Sequence, residues 1–304
     1  MIKYDVSGTS NSIHLDKANN FIAVSYYDNN LISILDYRTG RIIKELKTEY
    51  CSASSNLLAG NDKYFIYQYS AKEIVVADAR THEKLHNLKV DHCGAVNSIS
   101  LDQDQLLITA NKKIGKHDFY SNIFLFDLTN KTGKTFTDGT KFIKKGIIKN
   151  NHIICFHNEI DSHNYLSINL DREIKDYKIS DGVAEDFNII KSNDNSLYFV
   201  SSINTGENLV NNIYEISPIS GSLYPIENKF FNLQVQTGYI NHTGKSFILG
   251  YDSMIKKTCL SVTKGFNSKI GNTILGATVI TESIAVDDKY FAFGADHVIY
   301  LVEV

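Results

Sequence analysis

Residues 11 to 47 read NSIHLD, KANN, FIAVSYYD, NN, LISILD, YRTG, RIIKELK, and this stretch decides the fold. Four short runs rich in β-branched and aromatic residues are separated by Asn, Asp and Gly turn signals. None is long enough for a helix. Three alternate apolar with polar residues, as a half-buried strand does. The unit is therefore four short antiparallel strands joined by tight turns.

The same order returns six times. The second strand of each unit opens on a large apolar residue: Phe21, Phe65, Leu106, Ile153, Leu197, Phe247 and Phe291, at intervals of 44, 41, 47, 44, 50 and 44 residues. A four-stranded unit repeating every roughly 40–45 residues has the period of a propeller blade. The uneven intervals point to insertions in loops, where added length costs least. The third strand ends on Asp36, Asp78, Asp127, Asn169 or Ser217. Each can turn a side-chain oxygen onto the amides of the following turn. Gly40 and Gly221 suit the positive φ that a tight hairpin needs.

The sixth unit is looser, and the seventh stops at Val304 without a fourth strand. Residues 2–8, IKYDVSG, precede the first complete unit and alternate as a strand at Ile2, Tyr4 and Val6. A bare sheet edge invites unwanted pairing, so this segment is expected to complete the last unit. The expectation is an all-β chain: a seven-bladed β-propeller of four-stranded antiparallel blades, its ring closed by the N-terminal strand. One domain over 1–304 is expected, with blades near 11–47, 54–89, 96–139, 142–179, 186–230, 233–276, and 278–304 plus 1–8.

Composition narrows the function classes. With 31 basic and 34 acidic residues the net charge is −3, which is no electrostatic footprint for nucleic acid or an anionic membrane. The start, MIKYDVSGTS, has no apolar run like that of a secretory signal, and no stretch approaches a membrane-spanning length. Cys51, Cys93, Cys155 and Cys259 lie far apart, matching neither a zinc-finger spacing nor a disulfide framework. A cytoplasmic protein with reduced cysteines is expected, unless a signal segment has been removed.

Residues 91–99, DHCGAVNSI, resemble the loop-to-inner-strand signature of WD-repeat propellers, a His followed by a Val-x-x-Ile strand. Asp36, Asp78 and Asp127 stand where that family's Asp closes its Trp-Asp dipeptide, although Leu35, Ala77 and Phe126 replace the Trp. LDYRTGRIIKEL and ADARTHEKLHNL are also similar to the bacterial (YVTN-type) propeller repeats related to lactonases and quinoproteins. The resemblance implies a propeller that binds proteins or peptides at the ends of the ring, with His92 hydrogen-bonded inside its blade. Fold alone does not select a function.

Between second and third strands, units three, four and five carry the longest connections: 111–122, 157–165 and 203–212. Long loops on a rigid scaffold are where binding concentrates. Lys112, Lys113, Lys116, His117, Phe119 and Tyr120, with Asn204 and Glu207 two units on, form the candidate partner-binding set. A cationic, aromatic-tipped loop suits an acidic peptide; the same residues could instead be a solvated loop with its aromatics folded back. His157, Glu159, Asp161 and His163 are donors suited to a divalent ion. They match no known spacing, and a polar hairpin tip without metal is the expectation. No nucleophile elbow, HExxH, phosphate loop or dinucleotide fingerprint occurs. The reading is a non-catalytic interaction or scaffolding module for a protein or peptide partner, without cofactor. A lactonase-like or quinoprotein-like enzyme with a central-channel site, and an accessory subunit assisting assembly of a larger enzyme, are the alternatives.

Overall fold

The computed structural model describes residues 1–49, 57–90, 94–115, 119–137, 142–150, 152–159, 162–169, 174–181, 186–192, 196–204, 209–217, 222–227, 233–252, 254–266, 268–275, 285–286 and 290–304. For part of these strands, including 162–169 and 174–181, the description is of the backbone alone. The described residues contain 28 strands and no helix. The N-terminal strand is β1 (Ile2–Asp5), followed by β2 (Ser10–Asp16), β3 (Phe21–Tyr26), β4 (Leu31–Asp36) and β5 (Ile42–Lys47). Next are β6 (Leu58–Gly60), β7 (Tyr64–Ser70), β8 (Glu73–Asp78) and β9 (Lys84–Lys89), then β10 (Ala95–Asp102), β11 (Gln105–Lys113), β12 (Phe119–Asp127) and β13 (Thr132–Thr137). They are followed by β14 (Phe142–Lys149), β15 (His152–Glu159), β16 (Ser162–Asn169) and β17 (Ile174–Asp181), and by β18 (Asp186–Ser192), β19 (Leu197–Asn204), β20 (Leu209–Ile216) and β21 (Leu223–Ile226). The last are β22 (Leu233–Ile240), β23 (Lys245–Asp252), β24 (Lys257–Lys264) and β25 (Ser268–Ile274), then β26 (Ala285–Val286), β27 (Tyr290–Ala295) and β28 (Val298–Glu303).

Strands β2 to β17 form four-stranded sheets in chain order. Strands β18–β21 and β22–β25 are two such meanders, joined where β18 runs parallel to β22 through Ile190↔Gly238, Lys191↔Tyr239 and Ser192↔Ile240. Glycine is required at 238: a Cβ there would stand 2.7 Å from Ile248 Cδ1 and 2.9 Å from the Phe247 carbonyl oxygen. The remaining sheet has the order β1-β28-β27-β26. The N-terminal strand thus pairs antiparallel with the last one, from Ile2↔Leu301 to Asp5↔Val298. Two further amides continue this: Val6 N donates to His297 O (2.8 Å) and Ser10 N to Asp296 O (3.0 Å).

Two compact units divide the chain, one made of Met1–Leu15 with Ala184–Val304, the other of Asp16–Val183. In Asp16–Val183 the core lies between the faces of successive sheets. Leu106, Ile108 and Ala110 pack with Tyr64, Ile66 and Val76, whereas Leu107 between them packs with Ile143, Ile148 and Ile153. Alternate residues of a strand point to opposite faces. A sheet covered on both faces therefore reads as an unbroken apolar run, here LLI at 106–108. Each such side chain contributes about 1.5–3 kcal/mol of burial free energy. In the other unit, Ile190, Val200 and Ile213 meet Val235, Ile248 and Cys259, and Tyr239, Phe247 and Leu249 meet Phe291 and Phe293.

The turns after the third strands follow the expected chemistry. Asp36 Oδ1 accepts from Arg38 N (3.0 Å) and Thr39 N (2.7 Å), Asp78 Oδ1 from Arg80 N (2.9 Å) and Thr81 N (2.7 Å), and Asp127 Oδ1 from Thr129 N (3.0 Å) and Asn130 N (2.8 Å). These donors hold the three carboxyls below the usual Asp value, chiefly the Thr39 hydroxyl for Asp36 and the Thr81 and Asn130 amides for Asp78 and Asp127. Gly40 takes φ 69°, and His82 (57°) and Lys131 (56°) adopt the same region. The Asn169 side chain and Gly221 lie outside the described residues. The turns between first and second strands link neighbouring sheets: Asn19 Nδ2 donates to Asp62 O (2.9 Å), Asn61 Nδ2 to Gln103 O (2.8 Å), and Asn150 N to Asp102 Oδ2 (2.7 Å). Lys63 adds an ion pair to Asp104 at 3.0 Å.

Candidate functional site: the β11–β12 hairpin tip and the start of β14

The connection expected as a loop over 111–122 is largely strand. Strands β11 and β12 stay paired from Gln105↔Asp127 out to Lys112↔Tyr120 and Lys113↔Phe119. Connections four and five behave alike, with β15 and β16 paired to Glu159↔Ser162 and β19 and β20 to Asn204↔Leu209. Backbone bonds carry these extensions, so polar side chains continue the strand without signalling it. The sixth hairpin, β23 with β24, is extended too, to Asp252↔Lys257, which the sequence reading did not single out.

The base of the β11–β12 hairpin is fully buried at Leu106, Leu107, Ile108, Thr109 and Ala110. Beyond Asn111 the strand emerges. Lys112 and Lys113 are exposed, Ile114 is 61% exposed, and Tyr120 is half-buried. This end is fastened to β14. Inner strands β10, β14 and β22 each carry a β-bulge, at Val96/Ser98, Ile143/Lys145 and Val235/Thr237. A bulge leaves its extra residue out of the ladder. At the β14 bulge the Ile143 carbonyl accepts from Asn111 Nδ2 (2.8 Å) and also from Asn97 Nδ2, which reaches Lys144 O at 3.3 Å. Ser121 Oγ donates to Asn111 Oδ1 (2.6 Å) and accepts from Ile143 N (3.2 Å).

The other unit repeats the device with its residues exchanged. Ser202 on β19 donates to Asn211 Oδ1 on β20 (2.7 Å), Asn211 Nδ2 donates to Leu233 O (2.8 Å), and Asn188 Nδ2 donates to Val235 O (2.8 Å). Asn111↔Ser121 and Ser202↔Asn211 are both direct cross-strand partners, with Asn and Ser swapped between strands. Gly94, the first described residue of the WD-like stretch, sits at φ 90°, and a Cβ would lie 2.1 Å from Asn111 O. His92 and Cys93 lie outside the described residues.

Fastening β14 beside the tip presents Phe142, 37% exposed, and the partly exposed Lys144 and Lys145 at the same end. The site is a hydrogen-bonded backbone displaying apolar Ile114 and Phe142 beside Lys112, Lys113, Lys144 and Lys145. Such an arrangement has binding chemistry, a desolvatable centre with a charged surround. Of the expected set, the structure brings together Lys112, Lys113 and Tyr120 and puts Phe119 at the first position of β12. Lys116, His117 and Glu207 lie outside the described residues, and Asn204 ends β19 in the other unit. Sequence reasoning missed Ile114, Phe142, Lys144 and Lys145. Their signal was the recurrence of Lys-Lys beside an apolar residue, KKI at 112–114 and FIKK at 142–145.

His157 is buried in β15, with register partners Asn164 and Ile143. His163 pairs one position out of step, with Asn158, and Glu159 pairs with Ser162. Asp161 lies outside the described residues, among which no group of three or more His, Cys, Asp or Glu is placed to hold a metal ion. No described helix is long and apolar enough to cross a membrane.

No protein-family model and no curated protein matches the chain. Solved structures do. The β-propeller domain of Myceliophteria thermophila Cps50 (Swd1) superposes with a TM-score of 0.68 at 13% identity, covering 98% of this chain and 97% of that one. The WD40 domain of Neurospora crassa Pan2 gives 0.65 at 10% identity, over 97% and 88%. Kuenenia stuttgartiensis hydrazine synthase gives 0.68 at 10% identity, over 100% and 97%. The fold is thus that of WD-repeat-like β-propellers.

Proposed function

We propose that this chain is a non-catalytic protein-interaction module, and that its partner docks on the end formed by the β11–β12 tip and the start of β14. In this reading the six four-stranded meanders and the β1-β28-β27-β26 sheet are the blades of one closed ring, with β1 as the outer strand of the last blade. The observation that carries the functional part is the exposure of Ile114 and Phe142 on a backbone fixed by the Asn97, Asn111 and Ser121 bonds. Large apolar side chains on an ordered surface lose little entropy when a partner covers them. The likeness to WD40 domains supports the interaction reading at the level of fold. A cytoplasmic setting, where cysteine side chains such as the buried Cys155 and Cys259 stay reduced, is part of this reading.

The test is affinity capture with the full tagged chain, comparing wild type with an Ile114→Ser, Phe142→Ser variant. A control carries Ile42→Ser on the exposed outer strand β5. The expected result is a specific partner retained by wild type and control and lost by the double variant. Equal recovery with all three proteins would remove this surface from consideration.

A further inference from the structure

The chemistry of the tips says more about the partner than their exposure does. Three clusters at hairpin-tip ends share one composition: Lys112-Lys113-Ile114, Phe142-Ile143-Lys144-Lys145 and Met254-Ile255-Lys256-Lys257. The third belongs to the other unit and connects β23 with β24. Met254 is 75% and Ile255 46% exposed, and Lys256 and Lys257 are exposed beside them. This tip is held in shape. Asp252 Oδ1 accepts from Met254 N (3.0 Å) and Ile255 N (3.2 Å), and Lys256 closes the turn at φ 54°. The one carboxylate at the tip is thereby directed onto backbone amides, leaving the ammonium groups to set the charge that a partner meets.

Resting on the interaction reading above, we propose that the partner segment is acidic and carries apolar side chains at intervals. An apolar tip alone would suit many occupants. A lysine pair beside each apolar residue narrows them, because like charge across an interface is repelled and opposite charge steers encounter. A second copy of this chain, presenting the same cationic tips, is disfavoured by that repulsion. In sequence, Lys112 stands two positions before Ile114, which lies just past the end of β11, and Met254 two positions before Lys256 in the β23–β24 turn. A short ligand segment meets either tip by carrying carboxylates and apolar side chains close together, as a Glu-x-Leu pattern does.

The experiment uses the full chain and fluorescein-labelled 12-residue peptides, read by fluorescence polarisation. One peptide repeats Glu-Ser-Leu-Ser; the second has Ser for Leu; the third has Lys for Glu. The Glu/Leu peptide is expected to bind, at least about tenfold more weakly to a variant with both tips reversed, K112E/K113E/K256E/K257E, whose melting curve is unchanged. The Glu/Ser peptide is expected to bind several-fold more weakly and the Lys/Leu peptide not at all. Equal binding of acidic and basic peptides overturns the proposal, as does equal binding of the Glu/Leu and Glu/Ser peptides. Binding of phosphatidylserine vesicles with no binding of any peptide overturns it in favour of a lipid surface. Its failure is separable from that of the interaction reading. If the captured partner is lost by the Ile114→Ser, Phe142→Ser variant but is not displaced by the Glu/Leu peptide, the surface stands and the acidic assignment falls. If the variant captures normally, the surface itself falls.

Discussion

His82 occupies the turn position that Gly40 fills one repeat earlier, at φ 57°. Its ring lies edge-on to Phe21 (4.7 Å between centroids) and Phe65 (6.0 Å), and Lys44 Nζ donates to its carbonyl oxygen at 3.4 Å. Burial first, then the Lys44 charge, push the imidazole below its usual 6.5, while Asp16 and Asp78 pull weakly the other way. The folded chain therefore keeps His82 neutral at a pH where the unfolded chain has taken up a proton. Stability rises with pH wherever the unfolded state binds more protons. The His82 contribution is thus complete above 6.5 and is lost as pH falls from 6.5 through the lower folded value. Replacing His82 with Asn, which tolerates positive φ, should flatten the fall of melting temperature as pH drops below 6.5. A wild-type slope kept by the variant would contradict this assignment. The Asp side chains of the same turns were legible in sequence because their partners lie two or three residues away. The role of His82 was not, because Phe21 comes from the preceding repeat.

At the scale of elements, the bulged inner strands and the Asn and Ser side chains that meet them decide how each tip is presented. Asn211 is buried, donates to Leu233 O and accepts from Ser202 Oγ. Asn211→Ala leaves a buried carbonyl and a buried hydroxyl each short of a partner. The expected loss is about 1–3 kcal/mol, measured as a lower urea midpoint at unchanged slope. An unchanged midpoint would show that the clasp contributes nothing. The positions of the hairpins were readable from their apolar openings at Leu106, Leu197 and Phe247. Their lengths were not. Lys112, Lys113 and Tyr120 break the apolar alternation that marks a strand, yet their backbones stay in the ladder. Asn111 and Asn211 gave no warning either, because the carbonyls they meet, those of Ile143 and Leu233, belong to the first strand of the following meander.

For the whole molecule, the all-β repeat was legible because similar short-strand units recur along the chain, and solved propellers bear out the fold class. The partner was not legible in the same way. A Lys-Lys pair reads identically in a solvated loop and on a fixed tip, and only exposure and backbone bonding separate the two. The central claim is that β1 closes the proposed ring by completing the last blade. The claim rests on the pairs Ile2↔Leu301 to Asp5↔Val298 and the Val6 and Ser10 amides that continue them. Thermal unfolding of the full chain beside a chain lacking residues 2–8 tests this most directly. The account predicts a melting temperature lower by at least about 5 °C and partly restored by a synthetic peptide of residues 1–9; a truncated chain that melts like the full one would contradict it.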